Sequence, residues 1–181
     1  MLYFHKELIK KLKSDYQIQK AVSNRKYYKI EKGLYSDKEF VNPLEIILKK
    51  YPNAIFTSDS AYYYYYDLTD VIPDYFYLAT KRTDSRINDK NVKQIFIPNE
   101  LFDFGKTQIE MENIVINIYN EERMLVELIR KKNIMPFDYY KELITSYRKK
   151  SDKLDIYKIQ EYISYYKNES TLIDTLMREV F

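Results

Sequence analysis

Apolar positions change period several times along the chain, and each change marks an element. In "KELIKKL" (6–12) they fall at 8, 9 and 12, one face of a helix. "SDYQIQKAVSNRK" follows, with Ser14 suited to an N-cap and Asp15 to a first turn. Ile18, Ala21 and Val22 then lie three and four apart, as a buried stripe. The period shortens at "YYKI" (27–30) and "LYS" (34–36), two short strands around Glu31-Lys32-Gly33, where glycine supplies the positive φ of a tight hairpin. "NPLEIILKKYP" (42–52) predicts a short helix ended by proline.

Strand patterns dominate the middle of the chain. "NAIFTS" (53–58), "DYFYLATK" (74–81), "KQIFIP" (93–98) and "IVINIY" (114–119) are short apolar runs, and the polar "RTDSRINDKN" (82–91) reads as a turn. Ser58 or Asp59 is placed to cap a helix beginning near Ser60. Five consecutive tyrosines, Tyr62 to Tyr66, follow that cap, and a helix cannot turn all five inward. At α-helical spacing, Tyr64, Tyr65 and Leu68 share a face with Ala61, leaving Tyr62, Tyr63 and Tyr66 at a rim or interface. A strand, which tyrosine propensity favours, would instead alternate them in and out. From Asn120 the helical period returns in four segments: "NEERMLVELIRKK", "PFDYYKELITSYRKK", "LDIYKIQEYISYYK" and "ESTLIDTLMREVF".

These elements predict an α+β chain. Residues 1–40 have the outline of a winged helix-turn-helix, and 41–181 that of a mixed α/β domain with strands at about 53–119 and helices at 120–181. Charge follows the same cut. Residues 1–40 hold ten Lys/Arg against five Asp/Glu, a net of +5, whereas 41–181 hold twenty against twenty-two, a net of −2. On the second helix, Gln17, Lys20 and Asn24 share a polar row beside Gln19 and Ser23, side chains suited to base edges and phosphates in a major groove. Lys29 and Lys32 on the hairpin would reach phosphates. A small helical cap merely solvated by its lysines is the alternative.

Composition narrows the chemistry. There is no cysteine, so disulfides, thiol catalysis and thiolate zinc sites are excluded, and the single histidine, His5, leaves no material for a histidine metal cluster. Only two glycines, Gly33 and Gly105, are present, too few and too far apart for a loop that cradles phosphate. Asp103, Glu110 and Glu112 are the candidates for a Mg²⁺-dependent nuclease, with a solvent-facing strand edge as the competing reading. Glu121, Glu122 and Arg123 read as a capped helix start with an ion pair. The tyrosine run lacks the surrounding Lys/Arg of a nucleic-acid stacking platform, which favours packing. No stretch has membrane-spanning character, and a cytoplasmic location without a cofactor is expected.

Taken in order, four segments resemble the AbiEi family, antitoxins of type IV toxin–antitoxin and abortive-infection systems of bacteria. "YYKIEKGLYSD" (27–37) is similar to the wing closing the family's N-terminal domain, and "NAIFTSDSAYYYYYDLTDVIPDYFYLATKR" (53–82) to its strand, Ser-Ala helix, Leu-Thr-Asp turn and Ile-Pro strand. Gly105 and "IVINIYNEERMLVELIRKK" (114–132) complete the set, with Met124 where Thr is common and Glu127 where Asp is common. The resemblance implies a winged-helix repressor of its own operon that opposes a nucleotidyltransferase-like toxin, without itself being an enzyme. Its partners would be operator DNA and that toxin, by direct contact or without it, and a homodimer is compatible with it. Carried over by residue, Gln17, Gln19, Lys20, Ser23 and Asn24 map to the recognition helix, and Arg25, Lys26, Lys29 and Lys32 to the helix end and wing. Ser58, Ser60, Glu122 and Arg123 mark the antitoxin domain. A winged-helix regulator whose second domain senses a ligand or dimerises is the alternative.

Overall fold

The computed structural model describes residues 1–111 and 114–181, in mixed α and β structure. They form two units, Met1–Pro52 and Asn53–Phe181.

The first unit begins with β1 (Leu2–Phe4), α1 (His5–Leu12) and α2 (Asp15–Ser23). Lys13 ends α1 in the left-handed region at φ +72°, and Ser14 starts α2 by accepting a hydrogen bond from the Gln17 N–H. Two residues thus link the helices. Leu8 and Ile18 bury the facing sides of the two helices against Tyr27. β2 (Tyr28–Glu31) and β3 (Leu34–Ser36) form the hairpin, with Gly33 at φ +82° in its turn. The antiparallel sheet runs β1-β3-β2, and β1 pairs Leu2 with Ser36 and Phe4 with Leu34. No local pattern announces β1, because three residues gain strand character only from the partner that later chain supplies. α3 (Pro43–Lys50) follows, capped by Asn42. The cut expected at residue 40 falls instead after Pro52, since α3 packs on β1 and ties back through Lys49–Glu7 at 2.8 Å and Lys50–Glu31 at 2.7 Å.

In the second unit, β4 (Ile55–Phe56) leads into α4 (Ser58–Ser60), β5 (Phe76–Lys81), β6 (Val92–Ile97), α5 (Asn99–Phe102), β7 (Lys106–Met111) and β8 (Ile114–Tyr119). The sheet order is β6-β5-β4-β8-β7, parallel between β5 and β6 and between β4 and β8, and antiparallel elsewhere. Four helices close the chain: α6 (Glu121–Arg130), α7 (Phe137–Lys149), α8 (Ile156–Ser164) and α9 (Glu169–Glu179), as the returning helical period predicts. α6 is buried from Arg123 to Ile129 and packs against α8 and α9. Asn120 caps it by accepting from the Arg123 N–H at 2.9 Å. Among the described residues, no helix is long and apolar enough to cross a membrane.

The tyrosine run departs from its expected phase. Ala61–Tyr65 continue α4 as a π-helical turn, in which the Tyr66 N–H bonds the Ala61 carbonyl five residues back. The wider turn brings Tyr62 inside, where it is 2% exposed, and leaves Tyr64 outside at 38%. The Tyr62 hydroxyl donates to the Met124 carbonyl at 3.2 Å, and the Tyr66 hydroxyl to that of Tyr119.

Candidate nucleic-acid interface and a buried arginine

α2 and the β2–β3 hairpin carry the residues expected to meet DNA. Gln17, Gln19, Lys20, Ser23 and Asn24 on α2 and its cap are all exposed, as are Arg25, Lys26, Lys29 and Lys32 beyond it. The buried stripe of Ile18 with the half-buried Ala21 and Val22 fixes which side of α2 turns outward. Arg25 takes φ +55° where α2 ends, with the Lys26 N–H bonding back to the Ala21 carbonyl. Tyr16, 68% exposed, adds an aromatic ring to the same helix that polarity patterning overlooked.

Electrostatics separate this surface from the rest of the unit. Residues 1–52 hold twelve Lys/Arg and six Asp/Glu, a net of +6. Four of the six carboxylates have partners elsewhere: Glu7 with Lys49, Glu31 with Lys50, Asp15 with His5, and Asp37 with the amino terminus. Hydrogen bonding from Lys49 and from the Phe4 N–H holds the Glu7 carboxyl below its usual range, so that it stays ionised. None of those four acids pairs with Lys20, Arg25, Lys26, Lys29 or Lys32.

The residues expected to mark the second domain do not assemble into one cluster. The Ser60 hydroxyl accepts from the Tyr77 N–H at 2.8 Å and donates to the Tyr75 carbonyl, fastening α4 to β5. Ser58 sits at φ +49°, half-buried, and Thr57 rather than Ser58 or Asp59 occupies the cap position. Glu122 accepts from the Asp155 N–H at 3.3 Å. Arg123 therefore pairs not with Glu122 but with Glu127, one turn on, at 2.9 Å.

Arg123 is the largest fully buried side chain, 1% exposed. Its guanidinium lies 5.5 Å from the Tyr119 ring centroid and 5.9 Å from that of Tyr166. Gly105 makes room for it: a Cβ there would come within 2.8 Å of the Arg123 Cβ. Glu127 also accepts from Arg130 at 2.8 Å and from the Tyr166 hydroxyl at 3.0 Å. Burial, with the Glu127 charge, pushes the Tyr166 phenol up to about 12 and keeps it a donor. The Arg123 Nε and Nη1 groups are buried without a hydrogen-bond partner. Each such group costs about 1–3 kcal/mol if nothing meets it. The i, i+4 spacing of Arg123 and Glu127 was a signal available in the sequence; Tyr166, forty-three positions on, was not.

Of the nuclease candidates, Asp103 is exposed near Lys106 and Lys81, and Glu110 is exposed on β7, while Glu112 lies outside the described residues. Among the described residues, no three His, Cys, Asp or Glu side chains gather as a metal site. No protein-family model matches the chain, and no curated protein matches it.

Proposed function

We propose that the chain is a DNA-binding autorepressor whose first unit works as a winged helix-turn-helix. α2 would enter the major groove, and Lys29 and Lys32 on the hairpin would grip phosphates. The observation that carries this reading is the outward face of α2 and the hairpin. Five cations and four hydrogen-bonding side chains stand exposed there, while the unit's paired carboxylates are engaged elsewhere. The β1-β3-β2 sheet behind two helices joined by a two-residue turn supports it. With the resemblance to AbiEi antitoxins, the reading extends to a non-enzymatic antitoxin that restrains a nucleotidyltransferase-like toxin.

Binding of the full chain to a fragment carrying its own promoter tests the first part, measured across salt concentrations. Lys20→Ala and Arg25→Gly should each weaken binding and reduce the slope of log K against log salt by about 1. Glycine suits φ +55° at position 25, so the second variant removes the charge while keeping the fold. Affinity and slope unchanged in both variants would remove the DNA-binding assignment. For the second part, the double variant is expressed from a constitutive promoter beside the toxin. Growth rescue by this repression-dead protein would separate neutralisation from repression, and no rescue by wild type or variant would leave a regulator alone.

A further inference from the structure

We infer that Tyr16 is a specificity-determining residue of the DNA interface, its ring packing on the C5-methyl group of a thymine in the major groove. This role rests on the DNA-binding reading. To the charges and hydrogen-bonding groups of α2 it adds an apolar contact that selects a base.

Three observations converge on Tyr16. The first is position. Ile18 is 2% exposed and packs with Leu8 and Tyr27, which fixes the rotation of α2. At 3.6 residues per turn, Tyr16 and Lys20 both lie within about 20° of the direction opposite Ile18. Gln17 and Asn24 flank that row on one side and Gln19 on the other, all of them exposed. Tyr16 thus stands on the crest of the outward face. It is also the second residue of the helix, and the N-terminal turn of a recognition helix is the part that reaches base edges.

The second is availability. Tyr3 and Tyr27 pack edge to face at 5.7 Å and hold Lys11 between them, and Tyr35 lies beside His5. Tyr16 has no such ring or cation neighbour among the described residues, and it is 68% exposed. The adjacent carboxylate, Asp15, is engaged by His5 at 2.6 Å.

The third is chemistry. Base edges in the major groove present donors and acceptors, and the one apolar group among them is the thymine methyl. An aromatic ring on the crest of the helix matches that methyl, while its hydroxyl stays hydrated in the groove. Lys20, one turn on, would reach a phosphate or a guanine edge beside it.

The test is binding of the full chain to its own promoter fragment, amplified once with thymidine triphosphate and once with deoxyuridine triphosphate. The two DNAs differ only in the thymine methyl groups, and an amplified fragment carries no methylated cytosine. We expect uracil to weaken wild-type binding at least about fourfold, the worth of one buried methyl group. Tyr16→Ala should bind the thymine fragment more weakly than wild type, and its uracil penalty should be smaller by about that same factor. Changes in duplex stiffness act on both proteins alike and cancel in the comparison. Tyr16→Phe keeps the ring and should bind both fragments within about twofold of wild type. Position 16 is exposed, so both variants should keep the wild-type melting temperature.

Equal uracil penalties in wild type and Tyr16→Ala would overturn the proposal. So would a loss in Tyr16→Phe as large as that in Tyr16→Ala, which would make the hydroxyl the contact. Lys20→Ala tells this failure from failure of the DNA-binding reading. If Lys20→Ala weakens binding and Tyr16→Ala does not, the reading stands and the role of Tyr16 falls. If wild type does not bind the promoter fragment, both fall.

Discussion

At the scale of single residues, the second unit is organised around a close approach that only one amino acid permits. Gly105 has φ +72° and faces the Arg123 Cβ, so alanine there incurs both a left-handed backbone and an overlap with the buried arginine stem. Gly33 shares the positive φ but has no atom within 4 Å of where its Cβ would be. Urea unfolding should therefore rank the two: about 2–4 kcal/mol lost for Gly105→Ala and about 1 kcal/mol for Gly33→Ala. Equal losses would mean that the overlap at Gly105 relaxes freely. The Arg123–Glu127 pair makes a second residue-scale case. Removing Glu127 alone leaves a guanidinium without its buried countercharge, and Glu127→Ala should cost about 3–5 kcal/mol. Arg123→Met combined with Glu127→Leu should recover most of that loss, because two apolar side chains of similar volume remove the unpaired charge. A double variant no more stable than Glu127→Ala would place the damage in packing rather than charge.

At the scale of elements, most helices were legible because each announces itself within a few residues. Ser14, Asn42, Asn120 and Asp155 cap the helices they precede, and Ile18 and Leu8 are buried as their spacing requires. What was not legible depends on distant chain. β1 becomes a strand through β3, and Arg123 meets Tyr166 through the return of α8. The outward face of α2 could be read from its stripe, whereas the cavity lined by Thr57, Ile95 and Arg123 joins three parts of the sequence that share no pattern. The tyrosine run shows how a small local change reverses a reading. An α-helical period turns Tyr64 inward, but the π-helical turn exchanges it for Tyr62. Tyr62→Phe should lose about 1 kcal/mol with the hydrogen bond to the Met124 carbonyl. Tyr64→Phe keeps the stacking on Phe76 at 6.0 Å and should unfold at the same urea concentration as the parent. The opposite order of stability would restore the α-helical phase.

At the scale of the whole molecule, the two units divide the chemistry between them. The first carries a net +6, and the second, with eighteen Lys/Arg and twenty-one Asp/Glu, carries −3. The second also holds the protected phenols. Burial drives the Tyr62 and Tyr147 phenols well above their usual range, and raises those of Tyr77 and Tyr166 to about 12. Their hydroxyls are committed as donors: Tyr62 to Met124, Tyr147 to Glu121, Tyr166 to Glu127. The sign of the pH effect follows from proton counts. In the unfolded chain a tyrosine loses its proton near about pH 10, whereas these four keep theirs in the folded unit. Above pH 10 the folded state therefore binds more protons than the unfolded one, and stability falls as pH rises, by about 1.4 kcal/mol per pH unit for each fully buried phenol such as Tyr62 and Tyr147, and by less for Tyr77, which solvent screens. The stabilisation is complete below pH 10 and drains between about pH 10 and 12, where the Tyr77 and Tyr166 phenols would titrate. With no tryptophan in the chain, the ultraviolet absorbance of tyrosinate reports ionisation directly. Upward titration of the full chain should show a late, cooperative group of ionisations that coincides with loss of helical circular dichroism, because the second unit opens before its buried phenols yield. If instead all twenty-one tyrosines ionised in one gradual step while the helices persisted, the phenols would be reaching water in the folded unit, and their burial would not hold the helical layer on the sheet.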